Sequence, residues 1–409
     1  MSHLDTFVSL AIALAIIMAA CQITGHLAKY ISQPKVVGEM IAGVMLGPTL
    51  FGKIFPELYL MSFPPEIMPI LFIIANLGLS IYMFIVGMEI NLDLFNKKLM
   101  ADAGLLSAGA VATPFLFAFF TTILYSELFN TADIPFYSFL IFMGTAFAIT
   151  AFPMLARILQ ENGILQTKIG GLAMVSASIQ DVISWILLGL VTAIAVGSGY
   201  QSVLFMVIGA TVLVFFLFLV VKPLLSFWFK RKGVQQLDNA TLSTVLILLI
   251  VCAVITDHLG LYSVFGGFML GLAIPRQRHL IAGISIRIKD ITLVLLLPVF
   301  FVFSGLNTDL AILTETRFIG PAIIILLFAF ASKLIPLFGI MKIQNYSTKD
   351  ALSIAALMNS RGLMELIIAN IGLMYGLIDQ TLYAVLVLIA IATTASAMPL
   401  YVMIQKMYK

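Results

Sequence analysis

The sequence predicts an all-α polytopic membrane protein of about thirteen helices, with inverted repeats and two interrupted helices. Three observations carry this prediction. Charged residues make up only 10% of the 409 and hydrophobic residues 62%, where soluble domains carry about a quarter charged residues. The apolar runs are roughly twenty residues long and rich in Leu, Ile, Phe, Ala and Met, unlike the alternating runs of about ten residues in a β-barrel. The basic residues fall almost entirely on one side of the successive crossings.

The apolar segments cover 5–29, 36–51, 65–89, 99–125, 136–157, 168–197, 201–229, 240–257, 260–275, 283–306, 317–341, 350–376 and 381–405. With the N-terminus outside, 18 of the 22 Lys and Arg face the cytoplasm, only Lys53 and Arg317 fall outside, and Lys333 and Arg361 lie within spans. This bias predicts an external N-terminus and a cytoplasmic C-terminus in the plasma (inner) membrane. It also supports an odd number of spans. No Lys or Arg precedes the first apolar run, so that run is expected to stay as a span rather than leave as a signal peptide. Cys21 and Cys252 lie inside apolar runs and are expected to be packing residues.

A repeat is visible. Gly38-Glu-Met-Ile-Ala-Gly43-Val-Met-Leu-Gly-Pro48 in the second span echoes Gly266-Gly-Phe-Met-Leu-Gly271-Leu-Ala-Ile-Pro275 in the ninth. Phe84-Ile-Val-Gly87 with Asp93 in the third echoes Phe303-Ser-Gly305 with Asp309 in the tenth. Spans 2–6 and 9–13 then form two copies of opposite orientation, an arrangement of secondary transporters that bind substrate near the midplane. Glycine-rich packing motifs also recur in unrelated membrane helices, but two matches in the same order favour the repeat.

Ionisable groups inside the membrane are costly and mark function by default. Asp181 lies at the centre of the sixth span, after Ser176-Ala-Ser-Ile-Gln180. Its helix offers oxygens from Gln180, Ser176 and Ser178 but no charge partner. A carboxylate set among such oxygens suits a hard monovalent cation, and it can carry a proton when the cation is absent. Competition for one group then yields exchange. Lys333, in the eleventh span, either pairs with Asp181 until a cation displaces it or forms a static pair with Glu365. A buried lysine can also join the proton cycle. Arg361 and Glu365 are four residues apart in the twelfth span, which suits a structural pair.

Two segments read as interrupted helices. One is Thr145 to Pro153, which includes Thr150; the other is Asn359-Ser-Arg361-Gly362. Unwound backbone there exposes carbonyls to an ion, and Arg361 and Glu365 would serve as counter-charges for the broken ends. A simple kink at Pro153 is the competing reading. Glu89 and Asp93, at the cytoplasmic end of the third span, are either interfacial or a funnel mouth that attracts cations. His26, His258 and His279 lie near span ends and are expected to be interfacial. No phosphate-binding loop or metal-ligand spacing occurs in the sequence, so no cofactor, ATP-driven step, enzymatic activity or nucleic-acid partner is expected.

Thr150-Ala-Phe-Pro-Met-Leu-Ala-Arg157, Gln180-Asp181-Val-Ile-Ser-Trp, Gln33-Pro-Lys-Val-Val-Gly38-Glu39, Phe303-Ser-Gly305-Leu and Asn359-Ser-Arg361-Gly-Leu-Met-Glu365 together resemble the monovalent cation:proton antiporter-2 family. The plant cation/H+ exchangers and their bacterial relatives are the most similar members. The resemblance covers essentially the whole chain. It implies thirteen helices with two crossed discontinuous helices and a homodimer. It also implies an ion-binding core (99–197 and 317–405) that moves like an elevator against a scaffold and dimerisation part (1–98 and 240–306), with 201–229 as a linker helix. Asp181 matches the family's ion-binding aspartate and Lys333 its buried lysine. Gln180-Asp181 resembles the Kef-type potassium/proton systems, which leans the expected exchange, K+/H+ or Na+/H+, towards K+ and makes electroneutral exchange the simpler expectation. No soluble regulatory domain is expected within these residues. A sodium-coupled organic-anion symporter of similar architecture is the alternative; its site would need more polar lining than this sequence offers. A channel-like or non-transporting subunit is a third class, disfavoured by the mid-membrane charges.

Overall fold

The computed structural model describes residues 3–31, 33–90, 97–129, 134–165, 167–195, 199–232 and 238–408. Its α-helices are α1 (His3–Tyr30), α2 (Lys35–Leu46), α3 (Phe51–Ile54), α4 (Pro56–Ser62), α5 (Met68–Glu89), α6 (Lys97–Phe129), α7 (Phe136–Ala148), α8 (Phe152–Glu161), α9 (Lys168–Ala195) and α10 (Gly199–Phe216). They continue with α11 (Lys222–Lys232), α12 (Asn239–His258), α13 (Ser263–Ala273), α14 (Arg278–Ile291), α15 (Leu297–Leu306), α16 (Thr316–Ile343), α17 (Thr348–Leu357), α18 (Leu363–Met374) and α19 (Gln380–Met407). No strand occurs among the described residues, as expected where lipid offers no partner for open sheet edges.

Each apolar segment of the sequence carries helix among the described residues. Among the described residues, nine helices are long and apolar enough to cross a membrane, against thirteen segments in the sequence. The difference has a physical cause: several segments are divided. Segment 136–157 is split between α7 and α8, and 350–376 between α17 and α18. Segment 283–306 is carried by α14, a π turn at Thr292–Leu296, and α15. Segment 260–275 holds only the eleven residues of α13.

The chain forms two compact units. The first comprises 1–18, 60–92 and 197–303. Its centre is the packing of α13 on α5, where small residues bring the backbones together. A Cβ on Gly271 would stand 3.0 Å from the Gly87 Cα. Polar groups flank this seam: Tyr262 donates to Asn76 Oδ1 at 2.8 Å, and the Ser80 and Ser263 hydroxyls lie 3.3 Å apart. At the end of α5, Arg276 donates to the free carbonyls of Gly87 and Met88, a cation at the negative end of a helix.

The second unit comprises 19–59, 93–196 and 304–409. Here α6 packs on α7, α9 and α16, while α17 and α18 pack on α19. A second close approach joins α2 to the end of α15, where a Cβ on Gly305 would stand 2.5 Å from the Gly43 Cα. Pro336 lacks the N–H that would bond the Ser332 carbonyl four residues earlier. The Thr113 hydroxyl on α6, which donates to Gly109 O at 2.6 Å, lies 3.3 Å from that carbonyl, so α6 packs against the turn of α16 that carries Lys333.

Candidate ion-binding site

Two interruptions of helix build the site. Between α7 and α8 the chain is non-helical at Ile149–Ala151. Pro153 has no N–H to bond the Ile149 carbonyl, so the helix cannot run through this point without losing a hydrogen bond. Between α17 and α18, Gly362 adopts φ 144°, a conformation open to glycine and costly for any other residue. The two interruptions are bonded to each other. Ala151 N donates to Ser360 O at 3.3 Å, and the Thr150 hydroxyl lies 3.2 Å from Met358 O. The kink reading of Pro153 is thus replaced by a full break with a partner break beside it.

The broken ends carry opposite charges. At the end of α7, Ala146 O accepts from Arg361 at 3.2 Å and Ala148 O accepts from Lys333. These carbonyls have lost their helical donors, and cations suit the negative end of a helix. Glu365 lies in the first turn of α18, where the positive end favours an anion. Arg361 and Glu365 form an ion pair at 3.5 Å, both fully buried. Arg361 is not on the helix with Glu365, as the four-residue spacing predicts, but in the break. From there it also reaches Ala329 O at 2.8 Å and Ser332 Oγ at 3.4 Å on α16.

Lys333 has three N–H donors and three oxygen partners: Ala148 O, Thr150 Oγ1 at 2.8 Å and Gln180 Oε1 at 3.1 Å. Thr150 in turn donates to Gln180 Oε1 at 2.7 Å. Neither anticipated pairing of Lys333, with Asp181 or with Glu365, is present as an ion pair among the described residues. The neutral oxygens saturate its ammonium instead.

Asp181 is the fourteenth residue of the 28 in α9 and is fully buried. Neither of its carboxylate oxygens makes a hydrogen bond of normal geometry. Its interacting group is the backbone N–H of Phe152, the first residue of α8, so the positive end of that half-helix is directed at the carboxylate. Ser176 Oγ and Gln180 Nε2 are also buried without hydrogen bonds. Ser178 is engaged, donating to Met174 O at 2.8 Å.

Thr150, Gln180, Asp181, Lys333, Arg361 and Glu365 therefore belong to one unit and are joined through the two breaks. Glu89 does not belong to that unit. It accepts from Lys289 at 2.6 Å in the first unit, and Asp93 lies outside the described residues. The sequence reading passed over Ser184, whose Oγ is buried and without a hydrogen bond. Its position three residues after Asp181, on the same helix face, is the signal that marks it.

Residues 12–402 match the family model "Sodium/hydrogen exchanger, transmembrane". The chain is 32% identical to the Na(+)/H(+) antiporter NhaS4 of Synechocystis over 98% of both chains. It is 34% identical to cation/H(+) antiporter 20 of Arabidopsis thaliana over 98% of this chain and 49% of that one. It is 32% identical to K(+)/H(+) antiporter 1 of Saccharomyces cerevisiae over 94% of this chain and 45% of that one. It thus spans about half the length of the plant and yeast relatives. The structure of the sodium proton antiporter MjNhaP1 from Methanocaldococcus jannaschii shares the fold, with a TM-score of 0.69 at 16% identity and coverage of 97% and 99%. The resemblance read from the sequence motifs agrees with these matches. This multi-pass membrane protein belongs to the transmembrane sodium/hydrogen exchanger family.

Proposed function

We propose that the chain is a secondary-active monovalent cation/proton antiporter in which cation and proton compete for Asp181. The observation that carries this reading is the carboxylate itself, fully buried with both oxygens free of normal hydrogen bonds. A buried carboxylate needs a proton or a cation to be tolerable in such surroundings. Lys333 and a cation draw on the same neutral oxygens, Thr150 Oγ1 and Gln180 Oε1, so occupation by one excludes the other. Ser176 Oγ is a further candidate ligand. Arg361 and Glu365 compensate the broken helix ends rather than carry protons.

The glycine seams support inverted repeats of spans 2–6 and 9–13 within a thirteen-span chain. The motifs of spans 2 and 9 correspond, as do those of 3 and 10. A repeat then requires the 3–9 contact to have a counterpart between spans 10 and 2. Gly87 against Gly271 and Gly305 against Gly43 are such a pair. Elevator alternating access, a homodimer, and an external N-terminus in the plasma membrane complete the proposal. So do a moving core of 99–197 and 317–405, a scaffold of 1–98 and 240–306, and a linker at 201–229. The single carboxylate of Gln180-Asp181 favours one cation for one proton, with K+ preferred to Na+. Glu89 is proposed as a cation-attracting group at the cytoplasmic funnel, bonded to Lys289.

Proteoliposomes with an internal pH dye test the proposal. Addition of K+, and less effectively Na+, Li+ or Rb+, is expected to drive proton movement whose rate does not change with an imposed voltage. Absence of cation-driven proton movement contradicts antiport. Voltage-dependent rates contradict one-for-one exchange.

A further inference from the structure

Asn359 stands between two residues whose carbonyls are committed to the opposite break: Met358 O faces the Thr150 hydroxyl and Ser360 O accepts from Ala151 N. Its own side chain is fully buried, and neither Oδ1 nor Nδ2 makes a hydrogen bond. Among the described residues it is the one side-chain amide orphaned at both ends. Asn370 and Asn162, in the same unit, do have hydrogen-bond partners. Asn370 donates to Leu366 O at 2.8 Å and accepts from Tyr383 at 3.1 Å, and Asn162 donates to Ile158 O at 2.8 Å. The amide caps neither α17, which ends on its C-cap Met358, nor α18, which starts after Gly362. A buried amide without partners is costly, and such a group calls for a ligand.

The chemistry of that ligand follows from the neighbours. Asn359 is one residue from each of the two contacts between the breaks. One is the approach of Met358 O to Thr150, which donates to Gln180, and the other is the bond from Ala151, which precedes the Phe152 N–H directed at Asp181. An amide oxygen is a neutral ligand for a hard monovalent cation, and the number and field strength of neutral carbonyl ligands govern discrimination between K+ and Na+.

Resting on the antiport reading above, we propose that Asn359 is a specificity-determining residue: its Oδ1 ligates the cation held by Asp181, contributed from the α17–α18 break. The α9 helix and the 149–151 break supply the other oxygens. Because K+ gathers more ligands than Na+, loss of this one weakens K+ more than Na+.

The test compares wild type, Asn359→Ala and Asn359→Ser in proteoliposomes, reading KM and maximal rate for K+ and Na+ separately. Asn359→Ala is expected to raise the KM for K+ by about tenfold, the effect of one neutral polar contact. The KM for Na+ should rise less, and maximal rates should stay within about twofold. Asn359→Ser, which keeps an oxygen, should fall between. If Asn359→Ala does not reach the membrane, the serine variant carries the comparison. Wild-type KM values and an unchanged K+/Na+ ratio in the variants overturn the assignment, as does a fall in maximal rate at unchanged KM, which marks a structural role. A wild-type protein that moves no protons under a cation gradient fails the antiport reading instead, so the two failures are distinguishable.

Discussion

Asp181→Asn reduces cation-driven proton movement to the level of protein-free liposomes. The substitution keeps the size and polarity of the side chain and removes only its charge and its ability to bind and release a proton. Among the described residues, the other buried carboxylates are already paired, and Glu39 lies 3.9 Å from Lys35. Glu365 is committed to Arg361 at 3.5 Å, and Glu89 pairs with Lys289 in the other unit. The folded protein is expected to persist, because Asp181 has no ion pair to lose and a neutral amide is easier to bury than a carboxylate. The variant should therefore melt at or above the temperature of the wild type while transport is lost. Fluorescence of an internal pH dye after a K+ pulse, with a melting curve in detergent on the same sample, measures both. Retained exchange removes Asp181 from its role.

Arg361→Ala acts in the opposite way, on the fold before the chemistry. Arg361 is fully buried and connects four places: the Ala146 carbonyl at the end of α7, the Ala329 carbonyl and Ser332 hydroxyl on α16, and Glu365 on α18. Its own backbone exchanges hydrogen bonds with the Thr394 hydroxyl on α19. Removing the guanidinium leaves Glu365 charged and alone in the interior, and breaking one side of a buried pair costs about 3–5 kcal/mol. The Ala146 carbonyl, already without a helical donor, loses its partner too. A sharp fall in melting temperature and expression is expected. Adding Glu365→Gln should recover part of the loss, since the stranded charge disappears while the carbonyls stay unsatisfied. An Arg361→Ala protein as stable as the wild type contradicts this account, as does a double variant less stable than the single one.

Much of this arrangement is legible in the amino-acid sequence, for identifiable reasons. The absence of charge over whole apolar runs marks helices whose solvent is lipid, and the few exceptions mark the site. Asp181, Lys333, Arg361 and Glu365 stand out because each is expensive where it lies. Pro153 and Gly362 announce the two breaks because proline removes a helical donor and glycine alone tolerates φ 144° easily.

Partners are less legible than positions. Lys333 suggests a carboxylate partner by charge alone, but it binds Ala148 O, Thr150 and Gln180. Those oxygens become available only because α7 stops at Ala148 and leaves a carbonyl free beside them. Arg361 and Glu365 show the expected pairing on an unexpected geometry, because the helix begins between them at Leu363. Ser178 and Ser184 are chemically identical in the sequence. Only the structure shows that Ser178 bonds its own helix at Met174 while Ser184 is left without a hydrogen bond. The same holds for Asn359 and Asn370, one orphaned and the other fully used.

The central claim is that one carboxylate serves both substrates in turn. The pH dependence of the apparent cation KM in proteoliposomes tests it most directly. Competition by a single proton predicts that, on the acid side, KM rises by about tenfold per pH unit while the maximal rate at saturating cation stays constant. A KM independent of pH, with acid lowering the maximal rate alone, would place the proton on a group other than Asp181 and contradict the account.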